Sequence, residues 1–130
     1  MFRKLIYFFR WPILLFVFGM VLKYSGAYAI CPWLDIPMHF VGGFVVANSF
    51  VLIFNYWEKI DLMKIKSKLI YILLIVSLVA LITIFWEFWE FLMSRFIGSG
   101  WQGNLEDTMC DLFLGLLGGI SLFVFKKIKI

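Results

Sequence analysis

The chain has 130 residues, of which 64% are hydrophobic and 15% are charged, and its formal net charge is +4. Ordinary soluble domains are about 45–50% apolar, and a domain this small leaves much of its surface in water. The composition therefore excludes a soluble fold and predicts a single membrane domain, residues 1–130. The sequence has no basic stripe on a polar surface, so nothing in it indicates a nucleic-acid partner.

Four apolar segments are long enough to cross a bilayer, since a membrane helix needs roughly 20 apolar residues to span about 30 Å of hydrocarbon. We predict an all-α, polytopic bundle of four transmembrane helices with spans over about residues 11–29, 37–57, 69–91 and 105–125. Pro12 and Pro37 are predicted to lie in first turns, where the missing N–H does little harm.

The first segment also has features of a secretory signal peptide. Basic residues precede an apolar stretch, and Ala27-Tyr28-Ala29 resembles an A-x-A cleavage site. Cleavage there would leave three helices. The apolar stretch is long for a signal peptide, so we favour a retained span and keep cleavage as the alternative.

The basic residues are distributed unevenly between the two predicted sides of the membrane. All but two of the basic residues, Lys23 and Arg95, are predicted to lie on the same side of the membrane. The other ten of the twelve are Arg3, Lys4, Arg10, Lys59, Lys64, Lys66, Lys68, Lys126, Lys127 and Lys129. Because short cytoplasmic loops are enriched in Lys and Arg, this pattern predicts a multi-pass protein of the cell (inner) membrane with both termini in the cytoplasm.

Glycines indicate which helix faces pack together. Gly115 and Gly119 form a small-xxx-small pair in the fourth span, and Gly42 with Gly43 is predicted to play a similar part in the second span. Small residues let helix backbones approach closely in lipid.

Six acidic residues and the only histidine are predicted to gather near the outer membrane face. The third helix enters from the cytoplasm near Leu69, and at 1.5 Å per residue Glu87 lies roughly 27 Å further along. The second and fourth helices start outside, so their polar residues reach the same level. The candidate site residues are Asp35, His39, Glu87, Glu90, Asp107 and Asp111.

The spacing of these residues predicts that they point into the bundle. Asp35 and His39 are i, i+4, Glu87 and Glu90 are i, i+3, and Asp107 and Asp111 are i, i+4. Each pair shares a helix face, and on the second and fourth helices that face continues through the glycines. The sixth acid of the group, Glu106, is predicted only to favour a helix N-terminus.

Such a cluster predicts a divalent metal. Ionisable groups inside a membrane normally face a cavity, a partner or an ion, and several adjacent carboxylates cannot all stay ionised without a compensating cation. One imidazole with carboxylates suits Zn, Mn or Fe, while carboxylates alone suit Mg or Ca. All six residues are candidate ligands, and Glu87 and Glu90 are also candidate catalytic acid or base groups. The alternatives are shared protons, an ion pair with Arg95, a structural polar cluster, or acids that face water.

Three motifs resemble those of the YjdF-like family of small inner-membrane proteins. They are Asp35-x3-His39-x2-Gly42-Gly43, Glu87-x2-Glu90, and Gln102-Gly103-x3-Asp107-Thr108-x2-Asp111 followed by Gly118. A looser version resembles VanZ-like proteins, which are associated with teicoplanin resistance. The resemblance covers roughly residues 35–119 and implies a polytopic membrane protein without indicating a particular reaction.

Three functional hypotheses follow from the cluster. The first is a metal-assisted site at the outer leaflet that acts on or binds an envelope lipid or a lipid-linked precursor. The second is a non-enzymatic resistance factor that binds an envelope lipid or antibiotic. The third is a proton or cation transporter, which with four helices requires a homo-oligomer. The sequence leaves the substrate and the oligomeric state open.

The two cysteines allow two interpretations. Cys31 and Cys110 both fall near the predicted outer face, so a disulfide is one of them. The other is a pair of buried cysteines acting as small hydrophobic residues.

Overall fold

The computed structural model describes residues 2–98 and 100–126, and within these ranges the chain is helical with short connections and no strand. The helices are α1 (Phe2–Tyr24), the short α2 (Ala27–Ile30), α3 (Asp35–Lys59), α4 (Lys68–Phe96) and α5 (Leu105–Phe125). One 3-10 turn, Pro32–Leu34, precedes α3. The helices α1, α3, α4 and α5 are each long and apolar enough to cross a membrane, which confirms the predicted all-α architecture.

The first helix differs most from its predicted range of 11–29. It ends at Tyr24, because Gly26 adopts a left-handed φ of 76°, a conformation that glycine reaches without steric cost. The prediction that Pro12 lies in a first turn is wrong, since α1 already begins at Phe2 and Pro12 lies in its interior. Pro37 does lie in the first turn of α3, as predicted.

Glycines allow α3 and α5 to pack backbone against backbone. A Cβ atom added to Gly43 would collide with the carbonyl group of Gly115, and one added to Gly118 would collide with the carbonyl group of Phe40. Contacts this close require residues without side chains. The predicted packing role of Gly43 and Gly115 is therefore confirmed.

The helix α4 packs against the same glycine-bearing helix. A Cβ atom on Gly119 would lie 2.9 Å from a methyl group of Val79, and one on Gly115 would collide with Thr83. The predicted role of Gly42 in this packing is wrong. A Cβ atom there would lie 3.8 Å from Leu15 of α1, an ordinary contact distance.

The helix α1 lies at the periphery of the bundle and contacts α4 through aromatic rings. Phe9 packs edge-on against Phe50 of α3, with ring centroids 5.9 Å apart, and Phe16 packs edge-on against Trp86 of α4 at 5.8 Å. Most α1 side chains are exposed on the outside of the bundle. The helix α1 packs along α3, whereas these long side chains keep its backbone away from α4 and leave space between α1 and α4.

The connection between α4 and α5 is fixed by side-chain hydrogen bonds. The backbone N–H of Gln102 donates to the Ser94 hydroxyl at 2.8 Å, and its side-chain amide donates to the Thr108 hydroxyl at 3.4 Å. Asn104 is the N-cap of α5, where its side-chain oxygen accepts from the backbone N–H of Asp107 at 2.9 Å. The Gln102-Gly103 motif therefore sets where α5 begins.

Removing the cap should destabilise the start of α5. We expect Asn104→Ala to lower the free energy of unfolding by about 1 kcal/mol, because one N–H at the helix start loses its acceptor. Asn104→Asp keeps an acceptor and should retain wild-type stability. Equilibrium unfolding of the purified variants in mixed micelles, followed by circular dichroism, measures the difference. Equal stability of the alanine and aspartate variants would contradict this role.

Candidate metal centre

The direction of each helix brings polar residues to one end of the bundle. Thr83 faces Gly115 and Val79 faces Gly119, so α4 runs opposite to α5. His39 of α3 lies beside Asp111 of α5, four residues before the Gly43–Gly115 contact on each helix, so α3 and α5 run the same way. The starts of α3 and α5 and the end of α4 therefore meet. We call this the acidic end, defined by Asp35, His39, Glu87, Glu90 and Asp111.

His39 stands at the centre of the acidic end. Its Nε2 atom is 3.5 Å from Asp35 Oδ1 and 3.6 Å from Asp111 Oδ1. Ligand atoms about 2.1 Å from a zinc ion lie roughly 3.4 Å apart at the tetrahedral angle, so these separations suit a shared ion. The imidazole is 10% exposed and the Asp111 side chain 6%, so α3 and α5 enclose this part of the group.

A second group joins His39 to α4. One ligand atom from each of His39, Glu87 and Glu90 lies within 4.8 Å of the others. Glu87 is buried, and its Oε2 atom has no hydrogen-bond partner among the residues described. A buried carboxylate oxygen without a partner is costly, and a cation removes that cost. Glu87 is therefore the residue of this group whose burial a bound cation, or a proton on the carboxylate, would most relieve.

Asp107 is the one candidate ligand that lies outside both groups, which together hold Asp35, His39, Glu87, Glu90 and Asp111. Asp107 is exposed and lies one turn nearer the start of α5 than the buried Asp111. Its side chain lies against Gly103, where a Cβ atom would collide with it. This contact explains why the turn carries a glycine.

The remaining predicted residues lie apart from the cluster. Arg95 is exposed near the end of α4, and within residues 2–98 and 100–126 no ion pair joins it to the acids. Glu106 is exposed in the first turn of α5, as expected for a residue at a helix N-terminus. Cys31 is half-buried and Cys110 is exposed, and both are free cysteines, so the structure shows neither the disulfide nor a buried pair.

A cavity of about 730 Å³ extends from the acidic end into the bundle between α1, α3 and α4. Binding sites for small molecules are typically about 300–1,000 Å³. On α1 the cavity runs from Phe9 to Lys23, which at 1.5 Å per residue is roughly 21 Å. The sequence alone did not indicate this cavity, because its presence depends on how far α1 stands from α4.

The cavity changes in polarity along its length. Its lining in the half away from the acidic end is apolar and includes Phe9, Pro12, Ile13, Val46 and Ile82. Its lining at the acidic end is polar and includes Lys23, Tyr28, Asp35, His39, Glu90, Gln102 and Asp107. One end of the cavity thus suits hydrocarbon and the other suits a polar group.

Lys23 and Tyr28 line the polar end of the cavity, although neither was predicted to be a site residue. The Lys23 ammonium donates to the backbone carbonyl of Gly100 and lies 5.1 Å from the centre of the Trp101 ring. Burial, with the carboxylates of Asp35 and Glu90 nearby, raises the pKa of Tyr28 to about 12. The Tyr28 hydroxyl therefore stays protonated and able to donate a hydrogen bond. No sequence spacing indicated this role, because the turn through α2 brings Tyr28 back to α3.

The four apolar helices, with a polar cluster enclosed at one end, define a small polytopic membrane protein. The chain belongs to the family described as "Predicted membrane protein (DUF2238)", which matches residues 2–129. In effect this is the YjdF-like family that the three motifs indicated. No curated protein and no solved structure matches the chain. The VanZ-like resemblance has no match here and stays a prediction.

Proposed function

We propose that this protein binds a divalent metal ion at its acidic end and there acts on or binds an envelope lipid or a lipid-linked precursor. We place the acidic end at the outer face of the cytoplasmic membrane, with both termini inside. The concentration of basic residues toward the other end of the helices supports this orientation. The observation that carries the proposal is the buried Glu87 oxygen without a partner beside His39.

The donor set indicates which metals suit the site. His39 belongs to both groups, so the site holds an ion in one of two positions, with Asp35 and Asp111 or with Glu87 and Glu90. Each position offers one imidazole nitrogen and two carboxylates, a set that suits Zn, Mn or Fe. Magnesium prefers oxygen ligands alone and is the weaker candidate.

The two glutamates of α4 have different surroundings and so suit different roles. Glu87 is buried and does not line the cavity, which suits a metal ligand. Glu90 lines the cavity, so its carboxylate is placed to exchange a proton with a bound ligand. A divalent ion beside it would polarise a phosphoryl oxygen or activate a bound water molecule. The structure thus supports a role for Glu90 as the general acid or base of the site.

The cavity also favours a second candidate function, the non-enzymatic binding of an envelope lipid. Its long apolar lining would hold a lipid whether or not chemistry follows. The variant Glu90→Gln separates the two candidates, because it removes the proton-exchanging group and leaves the apolar lining intact. A cellular phenotype that survives Glu90→Gln would favour binding alone.

Metal analysis of the purified protein tests the proposal directly. After incubation with Zn, Mn, Fe or Mg and removal of excess ion, we expect about one equivalent of metal bound per chain. Glu87→Gln should lose most of this metal, because an amide cannot supply the charge of a carboxylate. The exposed Glu58→Gln at the far end of α3 is the matched control and should keep it.

Two results would refute the metal proposal. One is a wild-type protein that takes up none of the four ions. The other is metal content equal to that of Glu58→Gln in both Glu87→Gln and Asp111→Asn, one variant for each of the two groups, provided that all three variants elute as folded protein.

A further inference from the structure

We propose, resting on the metal site of the proposed function for the position of the polar head, that the cavity binds a single-chain amphiphile. Its hydrocarbon chain lies along α1, and its head lies at the acidic end. The ligand class follows from the shape, polarity and depth of the cavity.

Aromatic ring contacts bound the apolar half of the cavity on two sides. The Phe16–Trp86 contact joins α1 to α4 across one side, and the Phe9–Phe50 contact joins α1 to α3 near its floor. These rings limit the width between α1 and the core, while the length along α1 is roughly 21 Å. A long apolar space bounded in this way suits one extended chain better than a two-chain lipid.

The polar half presents hydrogen-bond donors as well as carboxylates. The indole N–H of Trp86, at the boundary between the apolar and polar halves of the cavity, is buried near Glu90, and within residues 2–98 and 100–126 no acceptor meets it at good hydrogen-bonding geometry. The Tyr28 hydroxyl lines the same end. Oxygen atoms of a polar head, such as those of a phosphate ester, would accept from both donors and complete the coordination of the ion. The head of the ligand is therefore rich in oxygen.

The depth of the cavity distinguishes a bound chain from ordinary membrane lipid. The hydrocarbon region is about 30 Å thick, so a lipid of one leaflet reaches about half of that depth. The floor of the cavity at Phe9 lies roughly 21 Å from Lys23 along α1. A chain bound in the cavity therefore ends beyond the middle of the bilayer.

Photolabelling of the full chain tests this proposal. The probe is palmitoyl lysophosphatidylcholine with a diazirine at the end of its chain, present in trace amount in vesicles of dioleoyl phosphatidylcholine. We expect the label on the floor of the cavity, at Phe9, Pro12 or Ile13, and we expect unlabelled lysophosphatidylcholine to compete with it.

Two variants fill the cavity and should abolish the floor labelling. In Gly42→Leu the new side chain enters the space facing α1, since the Cβ atom meets only Leu15 at 3.8 Å. In Gly19→Val the Cβ atom meets the flexible end of Met38 at 3.2 Å, with the Tyr28 hydroxyl next nearest at 4.0 Å. The matched control is Val41→Leu, which changes an exposed residue of α3 and should keep the label.

The metal content of the same preparations separates the two proposals. Floor labelling that persists in the metal-free Glu87→Gln variant supports the bound chain even if the wild-type protein takes up no metal. Labelling spread over exposed residues such as Leu73 and Leu81, and unchanged by both cavity-filling variants, would overturn the bound chain whatever the metal content.

Discussion

Gly43→Ala is expected to destabilise the bundle by about 3 kcal/mol, the upper part of the range for inserting atoms into a packed interior. The added Cβ atom would collide with the backbone carbonyl of Gly115, which cannot rotate away as a side chain can. The helices α3 and α5 would have to separate along the contact that holds the bundle together.

The neighbouring Gly42→Ala is the matched control for this variant. Both substitutions gain about 1 kcal/mol of helix propensity, so their difference isolates the packing term. At Gly42 the new atom meets Leu15 at an ordinary distance, so this variant should be as stable as the wild type or more stable. Equilibrium unfolding in mixed micelles measures both. Equal stability of the two variants would show that α3 and α5 do not pack through Gly43.

The second large effect is expected from His39→Ala, which should weaken metal binding by more than about 100-fold. Loss of a residue that only positions a metal ligand typically lowers metal affinity about 10–100-fold. His39 is itself a candidate ligand in both groups, so its loss should lower the affinity further. Titration of the metal-free protein against a competing chelator measures the affinity. The exposed Glu106→Gln is the control and should bind as the wild type does. Unchanged affinity in His39→Ala would remove His39 from the site.

Two further variants decide which group holds the ion. Asp111→Asn changes only the group between α3 and α5, and Glu90→Gln changes only the group between α3 and α4. An ion held with Asp111 would be lost in the first variant and kept in the second. The reverse result would place the ion with Glu90 beside the cavity.

Lipid as a solvent explains why the sequence alone predicted the architecture. Backbone groups in hydrocarbon must be satisfied within their own segment, so each long apolar run has to form a helix. Because successive helices cross in opposite directions, the positions of His39, Glu87 and Asp111 along their helices placed them at one level. The structure brings these three residues together.

The details that depend on helix rotation could not be predicted in this way. Gly42 and Gly43 are adjacent and equally small, and only the rotation of α3 decides which of them meets Gly115. Asp107 and Asp111 share a helix face, but Asp107 is exposed and Asp111 is buried. The helix α1 is apolar on every side, so its sequence does not indicate which face meets the core or how closely.

The peripheral position of α1 divides the molecule into a fixed part and a displaceable part. The backbone contact between α3 and α5 is direct, whereas α1 touches the rest of the bundle through side chains. Most of these are apolar or aromatic, and at the start of α1 the Lys4 ammonium donates to the Tyr56 hydroxyl at 2.6 Å. Hydrocarbon tails solvate such side chains as well as a neighbouring helix does, so moving α1 outward has little hydrophobic cost. The turn at Gly26 joins α1 to the core at the acidic end. A long molecule that entered sideways from the bilayer would have to displace α1 about this turn and break the Lys4–Tyr56 hydrogen bond at the other end of the helix.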